Sequence, residues 1–183
     1  MKLMVASDIH GSAYYCEKML ECYKNEKADK LVLLGDVLYH GPRNDLPKEY
    51  APKKVIEMLN NIKEEILCVR GNCDTEVDQM VLKFPILADY AFLYWDDKMV
   101  FVTHGHNHNT ANPPMLKAGD ILLHGHTHIP VCVKNDNFTY VNPGSISIPK
   151  ENSQHSYITI EDDGIHFKNL DMEEYRFVAK TEL

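Results

Sequence analysis

Short apolar runs, each ending in a polar cluster, set the rhythm of this chain. Leu3 to Ala6 is such a run and passes directly into Ser-Asp-Ile-His-Gly. It predicts a buried strand that delivers polar groups at its C-terminal end. Ser12 can cap a helix over residues 13–25, where Cys16, Met19, Leu20 and Tyr23 recur at three and four residues. Leu31 to Leu34 predicts a second buried strand ending in Gly35-Asp36. Residues 39–52 carry three prolines and a glycine and predict a loop. Lys53 to Asn60 predicts a helix with Val55, Ile56 and Leu59 on its apolar side. Ile66 to Val69 predicts a third strand, ending in Arg70-Gly71-Asn72-Cys73-Asp74. The order βαβαβ implies parallel strands with right-handed crossovers. Polar groups at the C-terminal ends of such strands converge on a shared crevice; here they are Asp8, His10, Asp36 and Asn72.

The second half changes period. Ala91–Tyr94, Met99–Thr103, Ile121–Leu123, Pro130–Val133, Phe138–Val141, Tyr157–Ile160 and Ile165–Asn169 each predict a short strand. Asp96-Asp97, Asn135-Asp136 and Asp162-Asp163-Gly164 are the turn signals between neighbours. Neither a repeat nor a linker interrupts the chain. Its 183 residues predict one α/β domain of two packed sheets with helices outside.

Composition narrows the class. Hydrophobic residues make up 44% and charged residues 25%, the balance of a globular protein, which excludes a disordered, collagenous or disulfide-scaffold chain. The net charge of −8 repels nucleic-acid backbones, so broad nucleic-acid binding is not expected. A small anionic substrate remains compatible if metal ions supply local positive charge. The five cysteines (Cys16, Cys22, Cys68, Cys73 and Cys132) form no C-x-x-C pair, which points to a reducing compartment and a cytoplasmic location. No segment approaches the length of a membrane span.

Histidine changes the picture. The chain has ten, three of them in His104-Gly105-His106-Asn107-His108 and three in His124-Gly125-His126-Thr127-His128. Asp8-x-His10, Gly35-Asp36, Gly71-Asn72, His104 and His126-x-His128 each follow an apolar run. Residues i and i+2 of a strand face one side, so donors at that spacing can grip one ion. Carboxylate, imidazole and amide oxygen suit Mn, Fe, Zn or Ni, and the lack of thiolates argues against a structural zinc site. Seven donors exceed one tetrahedral shell and suit two ions sharing a carboxylate.

These motifs in this order (D-x-H, G-D, G-N, H-G-H and G-H-T-H) resemble the calcineurin-like metallophosphoesterases over essentially the whole chain. Gly35-Asp36-Val37-Leu38-Tyr39-His40-Gly41-Pro42-Arg43-Asn44, Arg70-Gly71-Asn72-Cys73-Asp74 and Asn142-Pro143-Gly144-Ser145 resemble the YfcE-type bacterial phosphodiesterase branch more closely still. The resemblance implies a four-layer α/β/β/α sandwich of two mixed sheets with a dinuclear site at the loops. By motif, Asp8, His10 and His128 would bind one ion, Asn72, His104 and His126 the other, and Asp36 would bridge them. Manganese is the metal the family implies, with Zn, Fe or Ni as alternatives. The implied reaction is hydrolysis of a small phosphodiester by metal-activated hydroxide. The rivals are a phosphomonoesterase or nucleotidase on the same site, and a non-catalytic interaction module like the retromer subunit of that superfamily. Self-association into a homo-oligomer is compatible with either.

Cys73 departs from the wider superfamily, which has histidine after this asparagine. A thiol there weakens leaving-group protonation and favours diesters with stable leaving groups. Asp36, Asn72, Cys73 and His106 are therefore the candidate catalytic residues, and Arg43 and Arg70 the candidate substrate contacts. His124 is expected to support a ligand, and Asp74 to cap the helix that follows it rather than to orient a neighbouring site group.

Overall fold

A computed structural model describes residues 1–183. Three parallel strands open the chain: β1 (Leu3–Ala6), β2 (Lys30–Leu33) and β3 (Ile66–Cys68). Helix α1 (Ala13–Glu26) joins the first two, and α2 (Pro52–Asn60) lies between the second and third. Ser12 caps α1, its hydroxyl accepting from the Tyr15 N–H at 3.3 Å. The helix stops where Lys27 turns left-handed at φ 52°. Its buried residues are Ala13, Cys16, Met19, Cys22 and Tyr23, the face that the three- and four-residue spacing predicts. Pro52 opens α2 at a position where a missing N–H costs nothing.

Eight further strands follow: β4 (Tyr90–Trp95), β5 (Lys98–Thr103), β6 (Ile121–Leu123), β7 (Pro130–Lys134), β8 (Thr139–Pro143), β9 (Ser156–Ile160), β10 (Gly164–Asn169) and β11 (Glu174–Ala179). The first sheet has the order β11-β10-β9-β1-β2-β3 and the second β4-β5-β6-β8-β7. Both are mixed. The parallel trio β1, β2, β3 continues into antiparallel β9, β10 and β11, and the parallel trio β5, β6, β8 is flanked by antiparallel β4 and β7.

Two apolar layers hold the sandwich together. One lies between the helices and the first sheet, where Met4, Leu31 and Leu33 meet Met19, Val55 and Leu59. The other lies between the sheets, where Val5, Val32 and Ile158 meet Val100, Val102, Ile121 and Val141. The alternation of Met4 and Val5, or Leu31 and Val32, sends neighbours to opposite faces of one sheet. Burying a side chain of this size is worth about 1.5–3 kcal/mol, so the strands' sequences are the main source of the fold's stability. A smaller cluster of Phe101, Leu122 and Phe138 packs under Leu116 and Tyr140 on the outer side of the second sheet. That face is covered by the irregular segment 104–120 rather than by a helix.

Two elements lie outside the ranges that the sequence pattern delimits. The six-residue helix α3 (Glu76–Val81) follows the third motif. Strand β11 closes the first sheet with mostly exposed residues. No helix is long and apolar enough to cross a membrane.

Candidate dinuclear metal centre

The C-terminal ends of β1, β2, β3, β5 and β6 lead to one place, and all seven sequence-predicted donors meet there. They do so through tight turns rather than as alternating strand residues. Asp8, His10, Asp36, His126 and His128 all have left-handed backbones, with φ from 49° to 66°. That conformation costs an L-residue roughly 1–2 kcal/mol, and it persists only where surrounding contacts impose it. Here backbone bonds impose it: the Asp8 N–H donates to Gly35 O at 3.2 Å and the His10 N–H to Asp36 O at 2.9 Å. Gly71 lies so close to Asp36 that an added Cβ would sit 2.2 Å from its Oδ1 and 2.3 Å from its backbone nitrogen.

Asp74 locks these turns together. Its Oδ2 accepts from the N–H of Asp36 at 2.8 Å and of Gly71 at 2.7 Å, and its Oδ1 from the N–H of Val37 at 2.9 Å. The expected capping role belongs instead to Thr75, which forms a reciprocal pair with Asp78 at the start of α3. Asp74 faces inward because its carboxylate meets three otherwise unpaired amide donors.

The imidazoles are oriented for metal. His10, His104 and His128 place Nδ1 on the carbonyl oxygens of Tyr39, Leu34 and Ile148, at 2.7, 2.7 and 2.6 Å. A carbonyl only accepts, so each Nδ1 donates, and in the neutral ring Nε2 is a bare lone pair. Those lone pairs face other acceptors. His10 Nε2 is 3.4 Å from His128 Nε2, and His104 Nε2 is 3.2 Å from His126 Nδ1 and 3.0 Å from Asn72 Oδ1. Only a proton or a cation between them makes such contacts favourable.

The carboxylates complete two nests. Asp8 Oδ2 is held by the Ser7 hydroxyl at 2.6 Å and the His126 N–H at 3.1 Å. Its buried Oδ1 has no hydrogen-bond partner and lies 3.2 Å from His128 Nε2 and 3.7 Å from His10 Nε2. Asp36 Oδ1 accepts from the Cys73 N–H at 2.8 Å. Its Oδ2 stands 3.7 Å from His10 Nε2 and 3.5 Å from His104 Nε2, between the two nests. Asp8, His10 and His128 form one compact donor group, and Asp8, Asp36 and His104 another. The donor set fits two divalent cations: hard oxygen and imidazole nitrogen, aimed inward, with an orphaned buried oxygen in the first nest.

The electrostatics agree. Burial opposes ionisation of Asp8, but His10 and His128 outweigh it and hold its carboxyl well below the usual range. Burial disfavours the His104 imidazolium, yet Asp36 and Asp8 push the ring up to about 9. His126 is lowered by burial and by His104. Without metal, protons on these rings do the work of cations, so metal binding must release them.

A cleft of about 440 Å³ opens beside the centre, lined by His10, Asp36, Asn72, His126 and His128 together with Cys73, Thr127 and the Gly41–Asn44 turn. In the metal-free protein, burial and the Asp36 carboxylate drive the Cys73 thiol far above its ordinary value, which leaves it neutral. Its sulfur accepts from the Asn72 amide at 3.3 Å. Arg43 lines the cleft. Arg70 is not among the lining residues: its guanidinium reaches the Asp74 carbonyl at 3.2 Å and the Glu76 carboxylate at 3.4 Å. Lys150 also lines the cleft; a lone lysine in a polar loop carries no sequence signal that would mark it. His106 stands with its ring 5.4 Å from that of His104 and 6.4 Å from that of His126, outside the cleft lining. His124 is stacked on Tyr140, and burial lowers it to about 4.

Two mixed sheets back to back, with carboxylate, amide and imidazole donors gathered at their shared strand ends, define a metallophosphoesterase fold. The chain belongs to the calcineurin-like phosphoesterase superfamily, whose domain model matches residues 1–164. It is 49% identical to phosphodiesterase YfcE of Escherichia coli K12 over 163 residues, 89% of each chain. It also superposes on the solved structure of the E. coli phosphoesterase Yfce with a TM-score of 0.94 and 47% identity, covering 98% of this chain and 99% of that one. A phosphodiesterase of Methanocaldococcus jannaschii is 26% identical over 152 residues, 79% of this chain and 83% of the relative. A vacuolar sorting protein of Cryptosporidium parvum shares the fold at a TM-score of 0.62 and 16% identity, over 97% of each chain.

Proposed function

We propose that the protein is a metal-dependent phosphodiesterase acting on small phosphodiesters, with residues 1–183 working as one domain. Asp8, His10 and His128 hold one divalent ion, Asn72, His104 and His126 the second, and Asp36 spans both. The observation that carries this reading is the position of Asp36 Oδ2 between two sets of ring nitrogens that face each other across the centre, 3.4 Å apart for His10 and His128 and 3.2 Å for His104 and His126. Two divalent ions held there lower the pKa of a coordinated water and neutralise phosphate charge. The likeness to a phosphodiesterase over 89% of both chains supports diesters as the substrate class. Manganese is the metal we propose, and the imidazole and carboxylate donors also suit Zn, Fe or Ni.

The protein's own groups then have separate tasks. Carbonyls of Tyr39, Leu34 and Ile148 keep three imidazoles in the ligating tautomer. The Cys73 N–H and the Asp74 clamp fix the bridging carboxylate. Arg43 meets the anionic substrate at the cleft wall, and His106 supports the His104 side of the centre. Cys73, held neutral by burial, gives the departing oxygen little help. General acid assistance is typically worth about 10²–10⁴-fold, so substrates with stable leaving groups should be favoured. The five free, buried cysteines suit a reducing compartment, and we place the protein in the cytoplasm.

The test is hydrolysis of bis-p-nitrophenyl phosphate and p-nitrophenyl phosphate with and without Mn²⁺. Manganese-dependent turnover, faster on the diester, is expected. A faster monoester would move the assignment to a phosphomonoesterase, and no turnover with any divalent ion would favour the non-catalytic interaction module.

A further inference from the structure

Arg43 and Lys150 stand at the metal cleft as cations without a protein partner. Neither forms an ion pair with any carboxylate of the chain, although the chain carries a net charge of −8. Each is placed by its backbone. Arg43 sits in the Gly41–Asn44 turn, closed by the Asn44 N–H on Gly41 O at 3.3 Å and the Asn44 side chain on His40 O at 2.8 Å. The Lys150 N–H donates to the carbonyl of the proposed ligand His128 at 3.2 Å, and the Ser153 hydroxyl holds Lys150 O at 2.6 Å. The two cations thus rise from separate loops that flank the same donor set.

Two divalent ions carry four positive charges. Asp8, Asp36 and one hydroxide offset three, and the scissile diester offsets the last. Asp36 is the only carboxylate among the cleft-lining residues, so Arg43 and Lys150 remain in excess by two. The lining is otherwise polar apart from Pro42 and Cys73, and it offers no Phe, Tyr or Trp face on which a nucleobase could stack.

We propose that Lys150, with Arg43, selects phosphodiesters that carry a second anionic group, a carboxylate or phosphate, on one of their alcohol arms, and that the natural substrate is a compact, polar diester of this kind. The inference rests on the phosphodiesterase reading and names the substrate class of that site. A charge-assisted contact to an anion is roughly twice as strong as a neutral one, which makes a preference of about tenfold the expected size.

The experiment uses the manganese-loaded enzyme and two substrates of similar shape, p-nitrophenyl 2-carboxyethyl phosphate and p-nitrophenyl propyl phosphate. For the wild type, kcat/KM should favour the carboxyethyl ester about tenfold, mostly through KM. In Lys150→Met that ratio should collapse toward one, and Lys150→Arg should restore it. The ratio is measured within one variant, so a general loss of folded enzyme cancels. Binding gives a second readout: by calorimetry 3-phosphonopropionate should bind the wild type about tenfold tighter than propylphosphonate, and Lys150→Met should erase the difference. A wild type indifferent to the carboxylate, or a preference that survives in Lys150→Met, overturns the proposal. Failure to hydrolyse either ester overturns the phosphodiesterase reading, and this inference with it.

Discussion

Asp74 touches neither the cleft nor the proposed ions, yet the centre depends on it. Its carboxylate is buried, 1% exposed, and is the sole acceptor holding the N–H groups of Asp36, Val37 and Gly71 in one arrangement. Asp74→Ala removes all three acceptor contacts at once. A buried donor left unsatisfied costs about 1–3 kcal/mol, so the variant should lose about 3 kcal/mol of stability or more. Asp74→Asn is the finer probe. Its amide oxygen can serve Asp36 and Gly71 in the place of Oδ2, while its NH₂ confronts the Val37 N–H, for a cost of about 1–3 kcal/mol. The Val37 N–H next to the proposed bridging residue Asp36 then loses its acceptor, and removing such support typically weakens metal affinity about 10–100-fold. Urea unfolding of the metal-free protein measures the first effect, and Mn²⁺ titration of each variant measures the second. Wild-type stability in Asp74→Ala would refute the clamp. Lost stability with undiminished Mn²⁺ affinity would show that Asp74 serves the fold and not the centre.

Gly125→Ala should dismantle the first nest, because the new Cβ would sit 1.9 Å from Ser7 Oγ and 2.8 Å from Asp8 Oδ2; metal analysis should show loss of one ion, and full occupancy would contradict the packing. Glu26, far from the centre, is held by Lys2, Lys168 and Tyr157, which overcome the cost of burial and lower its carboxyl to about 2. A depressed carboxyl stabilises the fold above its unfolded value of about 4.5 and loses that contribution as pH falls through about 2. Glu26→Gln should therefore be less stable than the wild type at pH 7 by at most about 3 kcal/mol, with the gap closing between pH 4.5 and 2; unfolding curves that stay parallel across that range would refute the pairing.

The proposed metal ligands were legible because each follows a run that only a buried strand explains, and parallel strands with a common direction must deliver their ends to one edge. The D-x-H spacing is not strand alternation: Asp8 and His10, like His126 and His128, converge through paired left-handed turns. Asp74 was legible as a polar residue beside the third motif, but its partners are backbone amides two motifs away, which no local pattern reveals. Arg43 and Arg70 look alike in sequence; in the structure Arg43 lines the cleft and Arg70 pairs with Glu76 on the short helix α3. Helix α3 is too short for a period to mark its bounds, and β11 is mostly exposed, held in place by its pairing with β10 rather than by burial.

The central claim is that two ions share Asp36, and metal stoichiometry tests it most directly. Equilibrium dialysis against Mn²⁺, with turnover of bis-p-nitrophenyl phosphate measured on the same samples, should find two ions per chain in the wild type. Asp36→Asn should retain at most one, with turnover abolished, since the bridge serves both ions. A wild type that saturates at one ion, or an Asp36→Asn variant that keeps two ions and full turnover, would contradict the account.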